Sequence, residues 1–328
     1  MKPKIYVTRN LPQEGIDLLK TQFEVDVNPH DRVATRQEII AGIRGKDALL
    51  CLLTDEIDAE IMDAEARLKV IANYAVGFNN IDIEAATQRG IPVTNTPGVL
   101  TETTADLAFT LLMSCARRVV EADKFMRGGE YKGWAPMLLL GRDIAGKTLG
   151  IVGFGRIGQA MAQRATGFNM KVLYNDYKPA PDDVEEALDA EYRELPDLLR
   201  ESDFVSLHVP LMESTHHLID YAELEQMKRT AILINTSRGP VVNEKALARA
   251  LQSKLIFGAG LDVYENEPEF EPELATMDSV IMVPHIASAS VETRTRMATM
   301  AAENAIAVVA GKTPPNLVNP DVWERRRK

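Results

Sequence analysis

Short apolar runs alternate with longer stretches of mixed polarity along the whole chain. Runs of four to eight apolar residues suit strands buried on both faces, and apolar residues spaced at the helical period suit helices packed on such a sheet. On this pattern Ile5-Tyr6-Val7, Phe23 to Val27, Ala48 to Leu53, Leu68 to Ala75 and Ile91 to Thr94 are expected strands. Helices are expected between them over Pro12 to Lys20, Thr35 to Ile43, Ala59 to Ala66 and Asp82 to Arg89, the last ended by Gly90. The alternation is that of a parallel α/β unit.

A longer helix is expected from near Glu102, capped by Thr101-Glu102-Thr103-Thr104, apolar-rich from Ala105 to Val120 and broken at Gly128-Gly129. Tyr131 to Arg142 mixes Gly, Pro, Trp and a run of apolar residues, so it reads as an irregular arm. A second α/β series follows. Thr148 to Val152 is a strand, Arg156 to Thr166 a helix and Lys171 to Asn175 a strand. Phe204 to Val209, Ala231 to Ile234, Phe257 to Leu261 and Val280 to Val283 continue the sheet, with a helix over Asn243 to Gln252. The final helix, Ser290 to Val309, has no strand after it and is a candidate to return to the first domain. A chain of 328 residues is too long for one core, so two domains are expected.

Charge removes one class of partner. With 37 Lys and Arg against 48 Asp and Glu the net charge is -11, which repels phosphate backbones and argues against nucleic acid. The basic end, Arg325 to Lys328, reads as a solvated tail. No segment approaches the roughly 20 apolar residues that cross a bilayer, and Met1 to Thr8 lacks a signal-peptide layout. Cys51 and Cys115 each sit in an apolar run and read as buried hydrophobes. A cytoplasmic protein without a membrane partner is expected. His216-His217 are adjacent, which is not metal-ligand spacing, His30 sits in an exposed turn, and no metal is expected.

Gly153-Phe154-Gly155-Arg156-Ile157-Gly158 is a G-x-G-x-x-G between an expected strand and an expected helix. Gly153 permits the tight turn, Gly155 leaves room for a pyrophosphate and Gly158 lets the helix pack on the strand. Asp176 follows the next strand, 23 residues after Gly153. An acid there accepts from the adenosine ribose hydroxyls and repels a 2′-phosphate, which favours NAD over NADP. Lys178 is the one basic residue close by, so NADP use stays open. His208 either lines the cofactor groove or closes its strand.

Arg238, Glu267 and His285 each follow an expected strand of the second series. Ligands of open α/β sheets gather beyond the carboxyl ends of strands, so the three are candidates to converge. An imidazolium at His285 can protonate the oxygen of a ketone receiving hydride, Glu267 can orient that imidazole, and the fork of Arg238 can hold a carboxylate. From position alone, a structural role for each is as good a reading.

The chain resembles the D-isomer-specific 2-hydroxyacid dehydrogenase family, most closely its glyoxylate and hydroxypyruvate reductase branch. The resemblance runs nearly the full length. It rests on Ala75-Val76-Gly77-Phe78-Asn79-Asn80-Ile81-Asp82, on Gly146 to Gly153, on Asn235-Thr236-Ser237-Arg238-Gly239, on Gly260 to Tyr264 continuing to Glu267-Pro268, and on Pro284-His285-Ile286. It implies an α/β, two-domain fold in which a Rossmann NAD-binding domain, 101–289, is inserted in a flavodoxin-like, discontinuous substrate-binding domain, 1–100 and 290–328. It implies catalysis by Arg238, Glu267 and His285, with Val76 and Gly77 near the substrate carboxylate. Thr104, Arg156, Ile157, Pro210, Thr215, Thr236, Ser237, Asp262 and Ala287 are implied to line the cofactor groove with Val76, Arg238 and His285. A homodimer is implied. Trp134, in an arm like that of the reductases, is implied to cap a small pocket or to pack at the dimer surface, and Leu53 is a second candidate wall.

Two departures from the branch bear on this. Some members prefer NADPH and carry small or basic residues where this chain has Asn175-Asp176-Tyr177, so NADH is favoured. Ala287 replaces the common glycine after His-Ile, which adds a methyl beside the nicotinamide side. The expected reaction is therefore NADH-dependent reduction of glyoxylate, or hydroxypyruvate, to the 2-hydroxy acid. D-lactate and 3-phosphoglycerate dehydrogenases are the alternatives within the family. An NAD-sensing binding protein or transcriptional corepressor is the alternative of another class.

Overall fold

The computed structural model describes residues 2–327 and separates into two compact units, residues up to Leu100 with those from Ala289 onward, and Thr101–Ser288. Five strands form the sheet of the first unit: β1 (Lys4–Val7), β2 (Glu24–Val27), β3 (Ala48–Leu52), β4 (Val70–Tyr74) and β5 (Val93–Thr94). All pair in parallel, in the order β2-β1-β3-β4-β5. The central strands β3 and β4 are buried on both faces, which is why they read as unbroken apolar runs. The helix Gln13–Gln22 packs on the helix Val291–Val309. At the crossing a Cβ on Gly15 would stand 2.6 Å from the Cβ of Ala298, so only glycine allows that approach. Ala298, Ala301, Ala302 and Ala305 form the buried stripe of the long helix, which also covers β4.

The second unit holds seven parallel strands: β6 (Thr148–Val152), β7 (Lys171–Asn175), β8 (Ala190–Tyr192), β9 (Phe204–Leu207), β10 (Ile232–Asn235), β11 (Gly258–Leu261) and β12 (Val280–Met282). Their order is β12-β11-β10-β9-β6-β7-β8. The direction of winding reverses between β6 and β9, the switch point beside which doubly wound sheets bind ligands. The helices Thr101–Ala116 and Arg156–Thr166 pack together, and Arg164 ties them by ion pairs to Glu102 at 2.8 Å and Asp106 at 2.7 Å.

Four expectations are corrected. The helix from Glu102 does not run to Gly128. It ends at Ala116, Arg118 turns left-handed with φ 53°, and a second helix covers Val119–Arg127. Thr101 to Thr104 form the first turn of the helix and do not precede it as a cap. Residues 182–201, left without elements by periodicity, form the helix Asp182–Leu188, strand β8 and the helix Leu195–Glu201. The basic end is not a free tail as far as it is described. Arg327 donates to the carbonyls of Arg89, Glu65, Ala66 and Leu68, and Arg326 lies 3.8 Å over the ring of Trp323. Lys328 lies outside the described residues. No described helix is long and apolar enough to cross a membrane.

Candidate active site

The glycine turn sits between β6 and the helix Arg156–Thr166. Gly153 has φ 94°, and a Cβ there would meet His208 backbone at 2.7 Å, so both conformation and space require glycine. A Cβ on Gly158 would meet the Gly153 carbonyl oxygen at 2.2 Å, which is the close helix–turn contact. Gly155 faces open space. It is also the residue before the helix, where no side chain caps the first N–H groups. Those N–H groups and the helix dipole favour an anion. Arg156 is exposed and Ile157 half-buried at the same end.

Asp176 stands at the end of β7. One carboxylate oxygen accepts from Phe154 N–H and the other from Tyr177 N–H, both at 2.7 Å. The acid therefore fixes the glycine turn, and each oxygen keeps a lone pair for a ribose hydroxyl. On the far side of the switch point, burial pushes the His208 imidazole down to about 4, and its Nε2 lies 2.9 Å from Ser206 Oγ. Thr215 Oγ1 donates to the Pro210 carbonyl at 2.6 Å and closes the loop after β9. Thr104 is buried in its helix. Thr236 carries a buried hydroxyl with no protein partner among the described residues, a polar group that a bound cofactor amide or hydroxyl would satisfy. The glycine cradle, the acid and this hydroxyl fit a dinucleotide.

Arg238, Glu267 and His285 follow β10, β11 and β12, three neighbouring strands. His285 Nδ1 lies 2.9 Å from Glu267 Oε2, and Glu267 Oε1 accepts from Tyr264 N–H at 3.0 Å. Burial alone raises the Glu267 carboxyl. The bond and charge of His285, the Tyr264 N–H and the charge of Arg238 outweigh burial and hold it below the usual carboxylate range. Burial lowers Arg238 against the pull of Glu267, but a guanidinium starts high enough to stay charged. Arg238 Nη1 donates to the Ser237 carbonyl at 2.7 Å.

The turn that carries Arg238 is built by Asn235, which the sequence marks only as the first residue of the Asn235-Thr236-Ser237-Arg238-Gly239 motif. Asn235 is 1% exposed. Its Oδ1 accepts from Ser237 N–H and Oγ, and its Nδ2 donates to the Arg238 carbonyl at 3.0 Å. An unpaired buried amide costs about 1–3 kcal/mol, as much as burying one isoleucine gains, so an asparagine is tolerated here only because its atoms are bonded. Gly239 follows, and a Cβ there would fall 1.8 Å from the Tyr264 carbonyl. The arginine turn and the Glu267 loop thus touch backbone to backbone.

His285 has a left-handed backbone, φ 51°, unusual for a residue with a side chain. Asp262 holds it there. Its carbonyl accepts from His285 N–H at 2.9 Å, and its carboxylate from Ile286 N–H at 2.6 Å and Ala287 N–H at 2.9 Å. Burial pushes this carboxyl up, to about 6, against those two donors. Ala287 is buried beside it.

In the first unit, the loop after β4 has its carbonyls tied down. Ala75 C=O accepts from Thr96 N–H at 2.8 Å, Val76 C=O from Asn95 Nδ2 at 2.8 Å and Gly77 C=O from Asn73 Nδ2 at 2.9 Å. These peptides are trans, so each following N–H points away from its carbonyl. The N–H groups of Val76, Gly77 and Phe78 are therefore each directed away from the anchor that holds the preceding carbonyl. Leu53 is half-buried just after β3. Trp134 is 82% exposed in the irregular arm and makes little contact within its own chain. Among the described residues, no group of acidic, histidine and cysteine side chains has a metal-binding arrangement.

The second unit is thus a doubly wound dinucleotide-binding sheet with a histidine–carboxylate pair and an arginine at its strand ends. The family model for the D-isomer specific 2-hydroxyacid dehydrogenase, NAD binding domain, matches residues 109–287. A glyoxylate reductase of Korarchaeum cryptofilum is 55% identical, over 99% of this chain and 98% of its own. A crystal structure of a Thermus thermophilus protein superposes with a TM-score of 0.90 at 46% identity, over 96% of this chain and 99% of that one. A Sinorhizobium meliloti NADPH-dependent glyoxylate/hydroxypyruvate reductase, in complex with NADP and malonate, gives 0.86 at 32% identity over 100% of both. This chain belongs to the D-isomer-specific 2-hydroxyacid dehydrogenase family and is an NAD-binding oxidoreductase.

Proposed function

We propose that the chain reduces glyoxylate, and to a lesser degree hydroxypyruvate, to the 2-hydroxy acid with NADH. The observation that carries this reading is the His285–Glu267 pair beside Arg238. Bound NADH supplies the hydride to the carbonyl carbon. The carbonyl oxygen gains electrons as the C–H bond forms, and His285 Nε2 gives it a proton. Glu267 holds Nδ1 and steadies the imidazolium before transfer. Arg238 draws charge onto the substrate carboxylate and carbonyl oxygen. Val76 and Gly77 supply the substrate-binding N–H groups of the first unit. An absorbance assay at about 340 nm tests the reading, with NADH against glyoxylate, hydroxypyruvate and pyruvate as substrates. Rapid loss with glyoxylate and slow loss with pyruvate supports it. Tight NADH binding without turnover on the whole panel means a binding protein instead.

NADH is proposed as the preferred cofactor because Asp176 stands where the ribose hydroxyls bind, although the Sinorhizobium meliloti relative is described as NADPH-dependent. Asp176→Ser is expected to lower the ratio of kcat/KM for NADH over NADPH about 10-fold or more. An unchanged ratio removes the ribose argument. The Asn95 anchor is open to a separate check. Asn95→Ala frees the Val76 carbonyl and lets the peptide turn, so KM for glyoxylate is expected to rise about 10-fold while the KM for NADH holds. Equal rises in both would place the defect elsewhere. A homodimer is proposed from the exposed apolar side chains of residues 119–140, among them Val119, Met126, Trp134 and Met137.

A further inference from the structure

A second histidine–carboxylate pair stands beside the first. Two residues before Glu267, Glu265 Oε1 lies 2.7 Å from His217 Nε2. A carboxylate only accepts, so that nitrogen carries the proton. Glu265 Oε2 accepts from Glu244 N–H at 3.2 Å, at the start of the helix Glu244–Gln252. Glu244 is 5% exposed. Its carboxylate answers with two bonds, one oxygen taking Glu265 N–H at 2.5 Å and the other Glu271 N–H at 2.8 Å. One buried carboxylate therefore grips the chain on both sides of Glu267.

His217 also reaches the arginine. Its backbone is left-handed, φ 50°, and its N–H donates to the Pro240 carbonyl at 2.7 Å, two residues beyond Arg238. Main chain and side chain of one residue thus tie the Arg238 turn to the Glu267 loop, where Gly239 already packs against Tyr264. Bringing the Glu244 carboxylate out of water is costly unless it is bonded, and its two bonds join the helix start to the Glu267 loop, while Glu265 joins that loop to His217. None of the three is needed to move a proton or to hold substrate.

We propose that His217, Glu265 and Glu244 are positioning residues that set the separation between Arg238 and Glu267, with His217 as the tie between the loops. Reactive geometry is sensitive to displacements near 1 Å, so a slack tie shows in kcat before it shows in cofactor binding. The proposal rests on the roles given above to Arg238 and Glu267.

The test compares His217→Leu with His217→Gln, whose amide can still donate to Glu265. His217→Leu is expected to lower kcat about 10-fold, raise KM for glyoxylate a few-fold and enlarge the isotope effect with deuterated NADH. Melting temperature and NADH affinity stay near those of the natural chain. His217→Gln restores most of kcat. A His217→Leu enzyme with unchanged kcat overturns the proposal. So does a loss shared equally by both variants that tracks melting temperature, because it marks a merely structural residue. If the natural chain reduces no 2-oxo acid, the reading of Arg238 and Glu267 fails, and this proposal with it. If the natural chain is active and His217→Leu matches it, only the tie fails.

Discussion

His285→Ala is expected to lower kcat for glyoxylate reduction about 1,000-fold while the NADH dissociation constant moves by no more than about twofold. A carbonyl that accepts hydride without a proton donor must carry its charge alone, and water is a much weaker acid than an imidazolium. Alanine bears the same left-handed strain at φ 51° that histidine bears, so the substitution leaves the backbone cost nearly unchanged. The Asp262 bonds to the following N–H groups remain and hold the loop. Glu267 keeps Tyr264 N–H as a partner. The loss therefore reports the proton. His285→Gly is the control for strain, since glycine relaxes the backbone and still lacks the imidazole. Activity recovered in the glycine variant, or NADH affinity lost in step with kcat in the alanine variant, would refute the proton-donor role.

The second large effect is at Arg238. Arg238→Gln is expected to lower kcat/KM for glyoxylate about 1,000-fold, with both a higher KM and a lower kcat. Glutamine keeps one donor near the place of the arginine Nε but loses the charge, the planar fork and the reach of the Nη groups. It also removes the cation that helps to hold Glu267 ionised. Arg238→Lys restores charge without the fork, so it should recover only a small part of the loss. Steady-state kinetics on the three enzymes settles the matter. A lysine variant with full activity means that simple charge suffices and that the forked contact is not used.

Much of the sheet architecture was legible because both sheets are parallel and their central strands are buried on both faces, which writes segments such as Ala231 to Ile234 as unbroken apolar runs. The glycine turn was legible for a similar reason: conformation and contact at Gly153 and Gly158 leave no other residue. Where burial does not set the pattern, the reading failed. The helix Asp182–Leu188 buries no residue, and β8 is a three-residue edge strand with an exposed glutamate at its centre. The break at Arg118 depends on a left-handed turn that an arginine does not advertise. The positions of Arg238, Glu267 and His285 after strands were visible, and the resemblance supplied their roles. Asn73, Asn95, Asn235, Glu244 and His217 were invisible as site builders. Asn95, Glu244 and His217 work through bonds to another loop, and Asn73 and Asn235 through bonds to the turn that follows them, and such bonds leave no apolar period in a sequence.

The crossing of Gly15 and Ala298 has a consequence for how the protein is made. The helix that covers the first sheet is synthesised only after the whole inserted unit. At 5–20 residues per second, roughly 10–40 s separate the emergence of Leu100 from that of Ala298. Throughout that interval the nascent N-terminal segment has Ile16 and Leu19 without the alanine stripe that will cover them, and by its end the inserted unit has gained every strand of its own sheet, the last being Val280–Met282. Maturation therefore runs out of translational order, the middle first and the beginning last, and the waiting N-terminal face is where a chaperone would find its grip.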